Sequence, residues 1–102
     1  MGQTIQILET VEVGDILMVT TDRTLTGQDG ESFTGPVTAA AVDSFAARLS
    51  VRLFETDSNI DHVYVMSNAL SIRRRGGWNP EALDTTRNTI ASFFRFYPDR
   101  ET

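Results

Sequence analysis

The chain contains no cysteine and no lysine. Without cysteine there is no disulfide, no thiolate nucleophile and no thiolate set of the kind that holds an iron–sulfur cluster. Its absence also fits a reducing compartment. Without lysine the basic side chains are nine arginines, set against fourteen acidic residues for a net charge of −5. That balance opposes sequence-independent binding to polyphosphate, which depends on cationic side chains releasing counterions. The arginine usage itself reads as a coding bias rather than as protection from modification at lysine. No stretch approaches the ~20 apolar residues of a membrane span. The opening residues 1–5 lack the basic and apolar regions of a secretory signal. Cytoplasm, with no membrane association, is the expectation.

What the chain does have is enough apolar material for one core. Its 102 residues are 40 % apolar, with six Phe, two Tyr and one Trp, which fits a single domain over 1–102. Residues 3–9 suggest a short strand with Ile5 and Ile7 on one face. Val13-Gly14-Asp15 marks a turn, and Ile16-Leu17-Met18-Val19 reads as a well-buried strand running on into Thr20 and Thr21. Residues 24–33 are rich in turn formers; Asp29-Gly30 suits a hairpin turn within a weak edge ribbon. From about 38 to 55, Val42, Phe45, Ala46, Leu49 and Leu53 recur at helical spacing, with Ala47, Val51 and Phe54 beside them and Asp43, Arg48 and Arg52 opposite. Val63 and Val65, then Leu70 and Ile72, alternate about Ser67-Asn68 as a hairpin with one buried face. Asn79 and Pro80 suit the N-cap and first position of a last helix. Its stripe is read as Leu83, Arg87, Ile90, Phe94 and Tyr97, ending at Pro98.

These elements predict an α+β fold: a small, mostly antiparallel sheet of about four or five strands with two helices packed on one face. The other face is expected to be open and to carry Gln6, His62, Tyr64, Met66, Arg73 and Arg75. Aromatic, Met and Arg side chains are enriched at protein interfaces.

The order of anchors resembles the N-terminal domain of Nfu/NifU-type iron–sulfur scaffold proteins, over roughly residues 5–95. Leu53-Phe54 at a helix end leads to Ile60 on a strand, and Asn68-Ala69-Leu70-Ser71-Ile72 is similar to the family's next turn and strand. Trp78 stands where the last helix begins, and Ile90-Ala91-Ser92-Phe93-Phe94 matches an Ile-x-x-Phe-Phe pattern near its end. Residues 5–10 look like the opening strand that ends in Glu-Thr. The chain departs at residues 11–15, where the family has a Pro-Asn-Pro-Asn-like segment. The resemblance implies an accessory module of iron–sulfur cluster assembly or delivery, contacting a scaffold, chaperone or recipient protein. The cysteine-bearing domain of such scaffolds is separate and has no counterpart in this chain.

No constellation for catalysis emerges. His62 is the single histidine, too few donors for a metal site even with Asp57 and Asp61 near it in sequence. Ser67 and Ser71 have no triad spacing. The carboxylate pairs Glu9 with Glu12 and Asp57 with Asp61 could share a proton if buried, but short polar connections favour solvation. Asp22, Asp29 and Glu31 do not follow a calcium-loop spacing, and Gly76-Gly77 lacks the rest of a phosphate loop. Neither a cofactor, a bound metal nor an enzymatic activity is expected. Arg73-Arg74-Arg75 is the one concentrated charge. As a strand it points Arg73 and Arg75 one way and Arg74 the other. Three readings stand: a solvated strand end paired with neighbouring carboxylates, a clamp for acidic protein partners, or a nucleic-acid contact with Tyr64 stacking nearby. The residues assigned to partner binding are Tyr64, Met66, Arg73 and Arg75. A small nucleic-acid-binding protein is the alternative, disfavoured by the net charge.

Overall fold

The computed structural model describes residues 6–22, 24–25, 30–42 and 44–93. Five strands form one sheet in the order β1-β2-β5-β4-β3: β1 Ile7–Val13, β2 Ile16–Thr21, β3 Glu31–Phe33, β4 Ile60–Met66 and β5 Ala69–Arg74. Every neighbouring pair is antiparallel. Helices α1 (Pro36–Ala40), α2 (Phe45–Thr56) and α3 (Pro80–Ala91) complete the described elements. The α+β expectation holds, with a short third helix added to the two foreseen.

Alternation builds the core. Leu17 and Val19 on β2, Leu70 and Ile72 on β5, Val63 and Val65 on β4 and Phe33 on β3 are all buried on the helix side. Leu49, Leu53 and Phe54 of α2 and Ile90 of α3 join them in one cluster. A helix stripe finds its complement in one face of a sheet, and the described helices cover one face.

Several local expectations are corrected. Of the strand expected over 3–9, residues 3–5, Ile5 included, lie outside the described residues, and the described strand runs on from Ile7 to Val13, because the two-residue Gly14-Asp15 connection pairs Val13 with Ile16 and Val11 with Met18. β2 is buried on one face only: Leu17 is fully buried while Met18 is 47 % exposed. β3 pairs with β4, residues 26–29 of the expected ribbon lie outside the described residues, and Leu25 is buried in the core. Asp29 of the expected hairpin turn lies outside the described residues.

The helix read over 38–55 is two helices. Ser44 interrupts it with extended backbone and caps α2, its Oγ accepting from Ala47 N–H at 3.0 Å. The same hydroxyl donates to Glu31 Oε1 at 2.7 Å, which ties the start of α2 to β3. Val42, counted in the apolar stripe, is therefore exposed in the break while Ala39 is buried; Asp43 lies outside the described residues. In α3 the buried residues are Ala82, Thr86 and Ile90; of the expected stripe Ile90 is in the core and Leu83 packs partly buried against it, whereas Arg87 is exposed. The Thr86 hydroxyl is buried with no hydrogen-bond partner among the described residues. Asn79 and Pro80 act as read: Asn79 Oδ1 accepts from Ala82 N–H at 2.8 Å, and Pro80 opens the helix. Phe93 extends the core past α3, packing edge-on against Phe45 with ring centroids 5.0 Å apart. Phe94, Tyr97 and Pro98 lie outside the described residues.

Candidate protein-interaction face

Strand pairing places the solvent-side residues of the sheet in rows. One row runs Val11, Met18, Ser71, Tyr64, Ser32 from β1 to β3; beside it lie Val13, Ile16, Arg73, His62 and, on the other side, Glu9, Thr20, Ala69, Met66. Among the described residues no helix covers this face. Of the large apolar side chains left exposed, Val11, Val13, Met18 and Met66 belong to it, and Leu8 stands next to it at an irregularity in the β1–β2 register. Short Ala69 and Ser71 on the central strand separate Met18 and Thr20 on one side from Tyr64 and Met66 on the other.

Tyr64 and Met66 are brought together as expected. The Tyr64 hydroxyl donates to Met66 Sδ at 3.3 Å, and the ring lies over Gly30, where a Cβ would come within 2.8 Å of the Tyr64 oxygen. Gly30 has φ +75°, so it meets both the conformational and the steric demand of that packing. His62 sits opposite Arg73, half-buried. Among the described residues no cluster of three or more His, Asp or Glu could hold a metal ion.

The arginine run divides in the way strand geometry requires. Arg73 faces the open side, and its Nε donates to Asp61 Oδ1 at 2.8 Å. That hydrogen bond and the charge of Asp61 hold the guanidinium above its ordinary pKa, with a further pull from Asp15. Arg74 points to the helix side and is enclosed: Nε donates to Asp57 Oδ2 at 2.6 Å, Nη1 to the Gly77 carbonyl at 2.8 Å, and its guanidinium lies 5.9 Å from the Trp78 ring. Arg75 falls just beyond β5, where its Nη2 donates to the Ser58 carbonyl at 2.9 Å. Asp57 and Asp61 thus each serve one arginine, which accounts for the carboxylates that looked like a pair in sequence. Tyr64, Met66 and Arg73 share the open face, while Arg75 lies at its end against the 57–59 connection.

The residues that sequence reasoning missed are Val11, Val13 and Met18. Their signal was available in the alternation of Leu17 and Val19, which leaves Met18 facing outward once β2 is covered on one side. A concavity of about 390 Å³ lies between α1 and α2, lined by Ala39, Val42, Val51 and Glu55 among others. No described helix is long and apolar enough to cross a membrane.

No protein-family model matches the chain. No curated protein matches it either. Among solved structures the fold is similar to the X-ray structure of protein SAV1430 from Staphylococcus aureus, with a TM-score of 0.63 at 13 % identity, covering 82 % of this chain and 96 % of that one. At that identity the likeness extends to the fold.

Proposed function

We propose that the protein is a non-enzymatic interaction module that docks a protein partner on its open sheet face. We place it in the cytoplasm, in iron–sulfur cluster assembly or delivery, as an accessory factor that does not hold the cluster. The observation carrying the docking reading is the open face itself, where Met18, Met66 and Val11 are exposed beside half-buried Tyr64. Unbranched Met side chains adapt to a partner's shape, and a fixed tyrosine supplies contact area at small entropic cost. Arg73 stands at the margin with its charge directed by Asp61 rather than free to wander. The iron–sulfur setting rests on the ordered anchors from Leu53 to Phe94 in the sequence and their likeness to the Nfu N-terminal domain. The partner in this reading is a scaffold, a chaperone or a recipient protein.

Affinity capture from native lysate tests both parts. The parent chain is expected to retain an iron–sulfur scaffold, chaperone or recipient, and a Met18→Asp, Met66→Asp double variant to lose it while keeping the parent's circular dichroism. Equal capture by both chains would remove the face from the proposal. Retention of unrelated proteins alone would remove the iron–sulfur setting. A sub-micromolar, salt-sensitive complex with short DNA or RNA in fluorescence anisotropy would favour the nucleic-acid alternative instead.

A further inference from the structure

Among the described residues β1 ends the sheet, with β2 as its only strand neighbour. A two-residue connection makes Val13 and Ile16 the closing hydrogen-bonded pair, and antiparallel geometry then alternates the direction of the main-chain groups. Even-numbered residues of β2 therefore turn toward β1 and odd-numbered ones toward β5. The main-chain bonds at the strand's ends follow this rule: Thr21 N–H donates to the Asn68 carbonyl at 2.9 Å, and Asp22 N–H to the Gln6 carbonyl at 3.0 Å. On β1 the same rule turns the N–H and C=O of Thr10 and Glu12 away from the sheet, where no described strand meets them.

An unpaired edge of this length is a template for another strand. β1 spans seven residues with no proline, and carries exposed Leu8, Val11 and Val13. Its charges are of one sign: Glu9 and Glu12 on the strand and Asp15 at the turn, with no basic residue before Arg23. Among the described residues neither Glu9 nor Glu12 has an ion-pair partner. A second copy would bring the same carboxylates to the same edge, so like charges would face each other across the new pairing.

We infer that the β1 edge takes an extended segment of a partner protein, added as a further strand, in which apolar side chains alternate with arginine or lysine. Main-chain bonds to Thr10 and Glu12 supply the register; apolar side chains meet Val11 and Val13 on the open face, cationic ones meet Glu12 on the opposite face, and Glu9 adds its charge to the same edge. This rests on the interaction-module reading and adds the partner's form and charge to it.

The test titrates the isotope-labelled full chain with a synthetic peptide as long as β1 that alternates valine and arginine, and with a control in which glutamate replaces arginine. The arginine peptide is expected to shift the amide signals of Thr10 and Glu12 and slow their hydrogen exchange; the glutamate peptide is expected to do neither. Thr10→Pro removes an outward N–H without touching a bond to β2 and should weaken binding about five- to tenfold. Should that variant not fold, Glu9→Arg with Glu12→Arg keeps the main chain and should weaken binding about tenfold or more. Shifts centred on Met18, Tyr64 and Met66 would overturn the edge site and leave the open-face reading standing. An unchanged spectrum at about 1 mM peptide would also overturn it, as would a dimer of the free chain that Thr10→Pro dissolves. Failure of the module reading is seen separately, in the capture experiment with the face variants.

Discussion

The two edges of the sheet are protected in opposite ways. β3 is three residues long, and Phe33 turns into the core from it. Its Glu31 receives the hydroxyl of Ser44, so the edge is fastened to the start of α2. β1 is more than twice as long, is exposed along most of both faces, and among the described residues is joined to the sheet through β2 alone. Short edge strands resist pairing because they offer few main-chain groups; a long one must rely on charge or on irregularity. β1 has both, in Glu9, Glu12 and the register shift between Ile7 and Glu9. The contrast separates an edge closed by packing from one guarded only by electrostatics, and the second kind stays open to a partner of the right sign.

Substitution on each edge measures that contrast. Phe33→Ala should cost about 3–5 kcal/mol, since it empties a buried ring site at the junction of β3 with the helices; urea denaturation would record it. Gly30→Ala, just before β3, should cost about 1–3 kcal/mol, because the new Cβ would meet both the Tyr64 ring and the Val65 carbonyl at positive φ. Val13→Ala on β1 should change stability by less than about 0.5 kcal/mol, the residue being 59 % exposed. A loss at Val13 comparable with that at Phe33 would mean that the two edges are built alike. Glu9→Val with Glu12→Val should leave the melting temperature within about 2 °C of the parent. The expected outcome there is concentration-dependent self-association in light scattering, as the electrostatic guard is removed.

The β4–β5 hairpin was legible because Val63, Val65, Leu70 and Ile72 keep period two across a two-residue turn. The α3 cap was legible because Asn79-Pro80 acts locally. The break before α2 was not, since Ser44 owes part of its place to Glu31, thirteen residues away. Nor was the fate of the arginines: Arg74 finds Asp57 across seventeen residues, a proximity that exists only once β4 and β5 have paired. The stripe of α3 was legible at Leu83 and Ile90, which pack with the core, but not at Thr86, whose polar side chain gives no apolar signal although it is buried. Tyr64, Met66 and Arg73 could be placed on one face by parity. That β1 would be an edge follows from strand order, which no local pattern encodes.

The carbonyl of Asp15, at the tip of the β1–β2 hairpin, accepts from Arg74 N–H at 3.0 Å and from the Trp78 indole N–H at 3.0 Å. Trp78 is the only tryptophan in the chain, and the Arg74 guanidinium lies beside its ring. Indole emission responds to the hydrogen bond at its nitrogen and to nearby charge. The protein therefore carries a single-site optical gauge of its outer hairpin: a strand that twists or tightens β1 moves the acceptor to which the fluorophore is tied. The strand addition proposed for β1 would therefore be followed by intrinsic fluorescence without a label.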